Sequence, residues 1–354
     1  MNNYLLPTFA MILRQAMTQL CAWSRVALVL LMAAFSACAP RVYLPGRTLA
    51  SPHLTATHFI PQDDIKLPYR SWLPDAEAPK ALIIALHGFN DYSNFFAKPG
   101  AFFARMGIGS YAYDQRGFGG SANRGLWAGI DAYASDLVQF AQLIAARHPG
   151  VPLYLLGESM GGAVIIVAAS SDTPPPADGI ILAAPAVWAR SAMPWYQRLL
   201  LWVSAHSVPW MTVTGEGLEV MPSDNIEMLR ALGRDPLVIK KTRIETIVGL
   251  VDLMDRAFKQ SSKLNRPTLL LYGEKDAIIP KHPTVEMLIR MPQRRPGLKR
   301  FAFYENGYHM LLRDVQAEIL WKDIAEWIEH PQASLPSGAD RRATAALTTV
   351  RRSH

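Results

Sequence analysis

The chain is nearly devoid of cysteine. Of its 354 residues only Cys21 and Cys38 are cysteines, so nothing after residue 38 can form an internal disulfide, and a small disulfide-stapled scaffold is excluded. Charge is also sparse. Asp, Glu, Lys and Arg make up 18% of residues against 50% hydrophobic, which excludes a solvated disordered chain and allows a large core, as one α/β domain with an insertion or as two domains. The formal charge of +7 raises the question of a nucleic-acid partner, but much of it sits at the ends. Arg14 and Arg25 precede Cys38 with no acid among them, and Arg341, Arg342, Arg351 and Arg352 face only Asp340 in the last segment. With no interleaving of basic and aromatic residues either, no nucleic-acid partner is expected.

No run at the amino end is long enough for a comfortable membrane span. Arg25 precedes the apolar stretch 26–35, of signal-peptide length, followed by Ser36 and Ala37, and residues 1–37 are read as a signal peptide. The stretch before Met17 is long for a charged leader region, and initiation at Met17 would give a conventional one. Phe35-Ser36-Ala37-Cys38 resembles a bacterial lipobox, with Phe where Leu is usual. That resemblance implies lipidation of Cys38, an exported protein held at a membrane surface, and, through Ala39, the outer membrane where the cell has one. Ordinary cleavage near Ala37 or Ala39 is the alternative. Residues 38–52 then form a tether.

Beyond residue 52, strands and helices alternate. Two short β-like segments between His53 and Leu73 suggest an antiparallel entry hairpin, and Ala81–Leu86 is continuously apolar, as a strand buried on both faces should be. It ends in His87-Gly88-Phe89-Asn90-Asp91. The segment 109–114 is another strand, followed by the glycine-rich Gln115-Arg116-Gly117-Phe118-Gly119-Gly120. That loop lacks the Lys-Ser/Thr of a phosphate cradle and the spacing of a dinucleotide fingerprint, so Asp114 and Arg116 are read as pins between loops. Residues 131–147 repeat apolar positions at helical spacing, and 152–156 is the next strand. It runs into Gly157-Glu158-Ser159-Met160-Gly161-Gly162, a strand, a sharp turn and a helix with one hydroxyl at the bend. Gly-x-Ser-x-Gly in this setting fits a nucleophile elbow, with Ser159 as candidate nucleophile. His87 itself is read as a structural histidine bridging loops.

The alternation stops after the strand at 179–184 and resumes at 267–273. The insertion between is rich in large apolar residues, among them Trp188, Trp195, Trp202, Trp210, Met211 and Met228. Such residues could receive an acyl chain, although for any one of them packing of the cap onto the sheet is the simpler reading. Residues 244–258 read as a long helix returning to the core. Beyond strand 268–272 lies Gly273-Glu274-Lys275-Asp276, and beyond strand 300–304 lies Tyr308-His309. Ser159, Asp276 and His309 thus fall in the order of a serine hydrolase triad at strand ends. Glu274 is a rival acid, with Asp252 and Asp255 weaker ones, and His282 is a rival base. In this scheme the backbone N–H groups of Phe89 and Met160 form the oxyanion hole.

Through His87–Asp91, Tyr113–Gly119, Gly157–Gly162, Gly273–Asp276 and Tyr308–His309, the sequence resembles the monoglyceride lipase and lysophospholipase-like branch of the α/β-hydrolases, from about His58 to His330. The resemblance implies an α/β-hydrolase fold: a mostly parallel, doubly wound sheet with an inserted helical cap. The core spans 53–186 and 265–330, the cap 187–264, and a disordered basic tail 331–354. It also implies a serine hydrolase that cleaves esters of single acyl chains through an acyl-enzyme on Ser159, with a small acyl ester as partner and neither metal nor cofactor. A thioesterase, a short-chain carboxylesterase or a peptidase on the same triad remain alternatives, and in another class so does a non-catalytic, membrane-anchored lipid- or partner-binding protein.

Overall fold

A computed structural model describes residues 17, 19, 23, 39–75, 78–215, 217, 220–292 and 299–344. The expected hairpin is an antiparallel edge of three strands, β1 (His53–Leu54), β2 (His58–Ile60) and β3 (Leu67–Trp72), with Phe59 opposite Leu67. β4 (Ala81–Leu86), β5 (Ile108–Tyr113), β6 (Leu153–Glu158) and β7 (Gly179–Ala183) come next. The insertion carries a small ribbon of β8 (Thr212–Val213) and β9 (Thr242–Arg243), and β10 (Thr268–Gly273) and β11 (Lys299–Tyr304) complete the main sheet. Its order is β1-β2-β3-β5-β4-β6-β7-β10-β11, parallel from β5 through β11.

Helices cover both faces of this sheet, and the strands therefore lack polar alternation. Every residue of β4 is buried, with Leu82, Ile84 and Leu86 in one core and Ala81, Ile83 and Ala85 in the other. The first core packs α2 (Ile130–Arg147) and α3 (Met160–Ala169), the second α1 (Ala97–Arg105). In the insertion lie α4 (Trp195–Ser207) and α5 (Ile226–Arg234); after them come α6 (Ile244–Gln260), α7 (Lys281–Arg290) and α8 (Ala317–Glu329). Because α6 packs against α3 and buries Leu253, Ala257 and Phe258, the core resumes at about residue 244, inside the stretch assigned to the cap.

Two expectations from the sequence need correction. An exported, membrane-anchored lipoprotein is not supported, since no helix among the described residues is long and apolar enough to cross a membrane. The two longest helices, α2 and α6, bury apolar residues in the core; the stretch read as a signal peptide, apart from residues 17, 19 and 23, and the lipidation site at Cys38 lie outside the described residues. The tail is not disordered from residue 331. Leu335, Ala339 and Ala343 are buried, and Asp323 accepts hydrogen bonds from Tyr304 Oη (2.7 Å) and Ser337 N (3.0 Å). Ala339 and Ala343 lie one helical turn apart in a helix that starts at residue 339, and Leu335 lies in the turn before it; the arginines nearby obscured this short apolar pattern. Residues 345–354 lie outside the described part.

The cap also differs from the simpler reading. α4 buries only Ala205, while Trp195, Leu200 and Trp202 are more than half exposed, so this helix presents its large side chains outward rather than packing them on the sheet.

Arg116 and Asp114 pin loops, as the sequence suggests. Arg116 donates from Nε and Nη2 to Asp136 (2.6 and 2.8 Å) and from Nη1 and Nη2 to Asp63 (2.5 and 2.8 Å), with all three side chains buried. Burial pushes the guanidinium down, but the two carboxylates outweigh it and hold it firmly charged. Arg116→Met strands two buried carboxylates and is expected to lower the free energy of unfolding by about 3–5 kcal/mol. Guanidinium denaturation followed by circular dichroism measures this; an unchanged midpoint would show that the pair carries no stability.

Candidate active site

The site grows from the carboxyl ends of β4, β6, β10 and the turn after β11. At the end of β6 the backbone bends through Ser159, whose φ of 52° and ψ of −113° lie where residues with a Cβ rarely sit. Such a conformation costs about 1–3 kcal/mol and persists only where its surroundings fix it. Here they do. The Ser159 N–H donates to Ala183 O (3.0 Å), and its carbonyl accepts from Ala163 N (3.2 Å) and Ala186 N (2.9 Å). Glycine allows the strand and helix to close on the turn: a Cβ at Gly157 would overlap the backbone of Gly161 and Gly162, and one at Gly161 would overlap the carbonyl of Leu86.

Across from the serine, β10 and β11 bring an acid and a base together. Lys275 N–H donates to Gly307 O (2.9 Å) and Glu274 N–H to Tyr304 O (2.9 Å), which draws the two loops side by side. His309 Nδ1–H donates to Asp276 Oδ2 at 2.8 Å, and Asp276 Oδ1 accepts from the N–H groups of Ile278 (2.8 Å) and Ile279 (2.9 Å). The carboxylate is therefore fixed by three bonds and fully buried, with one proton direction left to the imidazole. The rivals lie elsewhere. Glu274 pairs with Lys281 (2.6 Å), Asp252 and Asp255 pair with Arg190, and His282 is exposed on α7.

The turn after β4 forms the facing wall. Asp91 N–H donates to Gly88 O (3.3 Å), Asn90 adopts φ 65°, and a Cβ at Gly88 would stand 3.5 Å from Ser159 Cβ. Phe89 packs edge-on against Phe118, and Met160 opens α3, so its N–H has no acceptor within the helix. His87 bridges loops as expected. Its Nδ1–H donates to Gly88 O (2.8 Å) and its Nε2 accepts from Gln115 N–H (3.0 Å); complete burial holds the ring neutral by pulling its pKa down. A second serine–carboxylate pair, Ser93 Oγ to Asp114 Oδ1 (2.5 Å), is buried beside it, with Arg70 Nη1 donating to the same hydroxyl (2.5 Å). Both partners of that hydroxyl are thus fixed, and it ties the turn after β4 to the end of β5.

Two sets of contacts escaped sequence reasoning. Arg313, fully buried four residues after His309, reaches Asp91 (2.7 Å) and Glu158 (2.9 Å). The cap also stands on the site by two feet. At one, Asn90 Nδ2 donates to Thr242 Oγ1 (2.7 Å) and Ile239 N–H to Asn90 O (2.9 Å). At the other, Met310 N–H donates to Pro222 O (2.9 Å), Asn225 Nδ2 to Arg313 O (2.9 Å), and Ser223 Oγ to Asp314 Oδ1 (2.6 Å). Burial pushes Asp314 up to about 6, opposed by the Ser223 and Tyr308 donors. Between α5 and the core remains a cleft of about 590 Å³, lined among others by Asp91, Phe95, Met228, Leu232, Arg313 and Trp321. A lone arginine among Met310-Leu311-Leu312 was the one signal in the sequence for the first set.

Comparison with known proteins agrees with this geometry. The family profile described as serine aminopeptidase, S33, matches residues 77–316. The chain is 24% identical over 276 residues to a monoacylglycerol lipase of Mycolicibacterium smegmatis, covering 75% of this chain and 93% of that one. It is 27% identical over 297 residues to a monoglyceride lipase of Rattus norvegicus, covering 82% and 96%. A structure of a soluble variant of monoglyceride lipase from Saccharomyces cerevisiae, in complex with a substrate analog, superposes with a TM-score of 0.67 at 18% identity, covering 82% and 99%, and shares the fold. With the profile spanning well over half of its length, the chain belongs to the serine aminopeptidase, S33, family of α/β-hydrolases and is an ester-hydrolysing enzyme of the serine hydrolase type.

Proposed function

We propose that this enzyme cleaves carboxylic esters of single acyl chains, of the monoacylglycerol or lysophospholipid kind, with Ser159, His309 and Asp276 as its triad. The observation that carries the reading is the His309–Asp276 hydrogen bond of 2.8 Å, on a loop bonded to the residue preceding a serine at a strained turn. In the proposed cycle the Ser159 hydroxyl attacks the ester carbonyl while His309 Nε2 takes its proton. The imidazolium is stabilised by Asp276, and the oxyanion by the N–H groups of Phe89 and Met160. His309 then returns the proton to the leaving alcohol. Water, deprotonated by the same imidazole, releases the acid from Ser159.

The relatives named as monoacylglycerol and monoglyceride lipases support an acyl ester, and so do the exposed apolar side chains around α4, Trp195, Leu200 and Trp202 among them. The family description invites an aminopeptidase instead. A peptide amino terminus is a cation and calls for free carboxylates near the nucleophile. Glu158 and Asp91, the acids closest in the chain to Ser159 and the turn after β4, are both engaged by Arg313, which disfavours that reading.

Ser159→Ala is expected to lower kcat/KM on nitrophenyl esters by at least ~10⁴-fold and to abolish labelling by a fluorophosphonate, and Asp276→Asn to lower kcat by about 10⁴-fold. Wild-type turnover in Ser159→Ala would refute the assignment. On a panel of monoacylglycerols, lysophospholipids and acetyl esters, the double variant Leu200→Ser/Trp202→Ser should lose roughly tenfold or more in kcat/KM for long chains and little for acetyl esters. An equal loss on both would separate the cap from chain recognition.

A further inference from the structure

Glu158 and Arg313 have no part in the triad, yet they lie against it. Glu158 immediately precedes Ser159 and is 2% exposed. Its Oε1 and the Ser159 Cβ are both within 4 Å of the point a Cβ would occupy at Gly88, so the carboxylate sits against the wall where the oxyanion is proposed to form. Arg313 Nη2 donates to that Oε1 at 2.9 Å and approaches Asp91 Oδ2 at 2.7 Å, while Glu158 Oε2 has no hydrogen-bond partner.

Three loops therefore meet at one guanidinium: the nucleophile turn through Glu158, the turn after β4 through Asp91, and the His309 loop through Arg313 itself. Two carboxylates share one cation, which leaves the buried cluster with an excess negative charge. An isolated buried charge of this kind is costly unless something nearby becomes positive. His309 does so during each proposed turnover, and Arg313, four residues after it, brings its loop onto Glu158. The other charged groups around Glu158 are Asp91 on the β4 side and Asp314 on the loop after His309, with His87 beyond Asp91 and Asp276 on the far side of the imidazole.

We propose that Glu158, clamped by Arg313, is a positioning residue that acts through His309: a second carboxylate that stabilises the imidazolium while Arg313 screens the oxyanion from it. The proposal rests on the assignment of Ser159 and His309 given above. Arg313 stays charged because both acids outweigh its burial; burial pushes the Glu158 carboxyl upward, and Arg313 is the main influence opposing it.

The test is the pH dependence of kcat/KM on a nitrophenyl ester for the full chain and its Glu158→Gln variant. Removing a carboxylate beside the proposed base makes its protonated form less stable, and the base acts only when neutral, so the ascending limb moves to lower pH. A shift of about 0.5 pH unit or more is expected, with kcat down roughly tenfold and KM within about twofold. A lower kcat with the limb unmoved, or a change in KM alone, would reduce Glu158 to a structural role and overturn the proposal. Should Glu158→Gln fail to fold, Asp91→Asn removes the same unit of charge from the same guanidinium and must move the limb in the same direction; an unmoved limb there also overturns it. Ser159→Ala separates the two levels. If that variant is inactive while the Glu158→Gln profile superposes on wild type, only this inference falls; if Ser159→Ala remains active, the triad assignment falls first.

Discussion

A serine with φ 52° cannot be held by its own turn, and the architecture around Ser159 can be understood as the means of holding it. The strain is of the order of 1–3 kcal/mol, small against a core of this size but unfavourable at every moment the chain is folded. It is offset by hydrogen bonds to β7 and the segment after it, by a helix that opens at the next residue, and by two glycines that let backbones approach where a methyl would not fit. β6 lies between β4 and β7 in the parallel sheet, and α3 is buried on nearly every side. The turn therefore cannot relax without disturbing both cores.

This constraint is local in sequence, which is why it was legible there. Gly157, Ser159 and Gly161 are two residues apart, β4 and residues 153–156 of β6 are uninterrupted apolar runs, and Asp276 and His309 each follow a strand that ends in apolar residues. Those signals need no knowledge of distant partners, and the structure brings Asp276 and His309 into contact and sets Ser159 at the sharp turn the sequence suggests. The features that were not legible join residues far apart. Glu158 and Arg313 are separated by 155 positions and Asn90 and Thr242 by 152, and no periodicity of either segment reports such a pair.

The departures have equally physical origins. Arginines at residues 341 and 342 suggested a solvated tail, but Leu335 in a turn and Ala339 and Ala343 in the helix after it are all buried, and the backbone follows them. In the insertion, large apolar side chains suggested packing, whereas α4 is held at the molecular surface with them outward. Composition counts apolar residues but does not say which way they face; that depends on how the segments on either side are tethered. For α4 they are held on α6, by Arg190 to Asp252 and Asp255 before the helix and by the Glu245 and Ile244 N–H groups to Pro209 O and Met211 O after it, so the helix rests on α6 rather than on the sheet.

The two feet on which the cap stands at the site divide the insertion into parts with different freedom to change. The stretches that grip Asn90 and the loop after His309 share hydrogen bonds with residues next to those proposed to react, so substitutions there alter the geometry of the site even when no substrate touches them. The segment carrying Trp195 and Trp202 shares no such bonds among the described residues. Selection, or a protein engineer exchanging caps between hydrolases, can therefore rewrite that segment while the footings stay as they are. The insertion is a replaceable element mounted on a fixed bracket, and the boundary between the two falls near residue 220 rather than at either end of the cap.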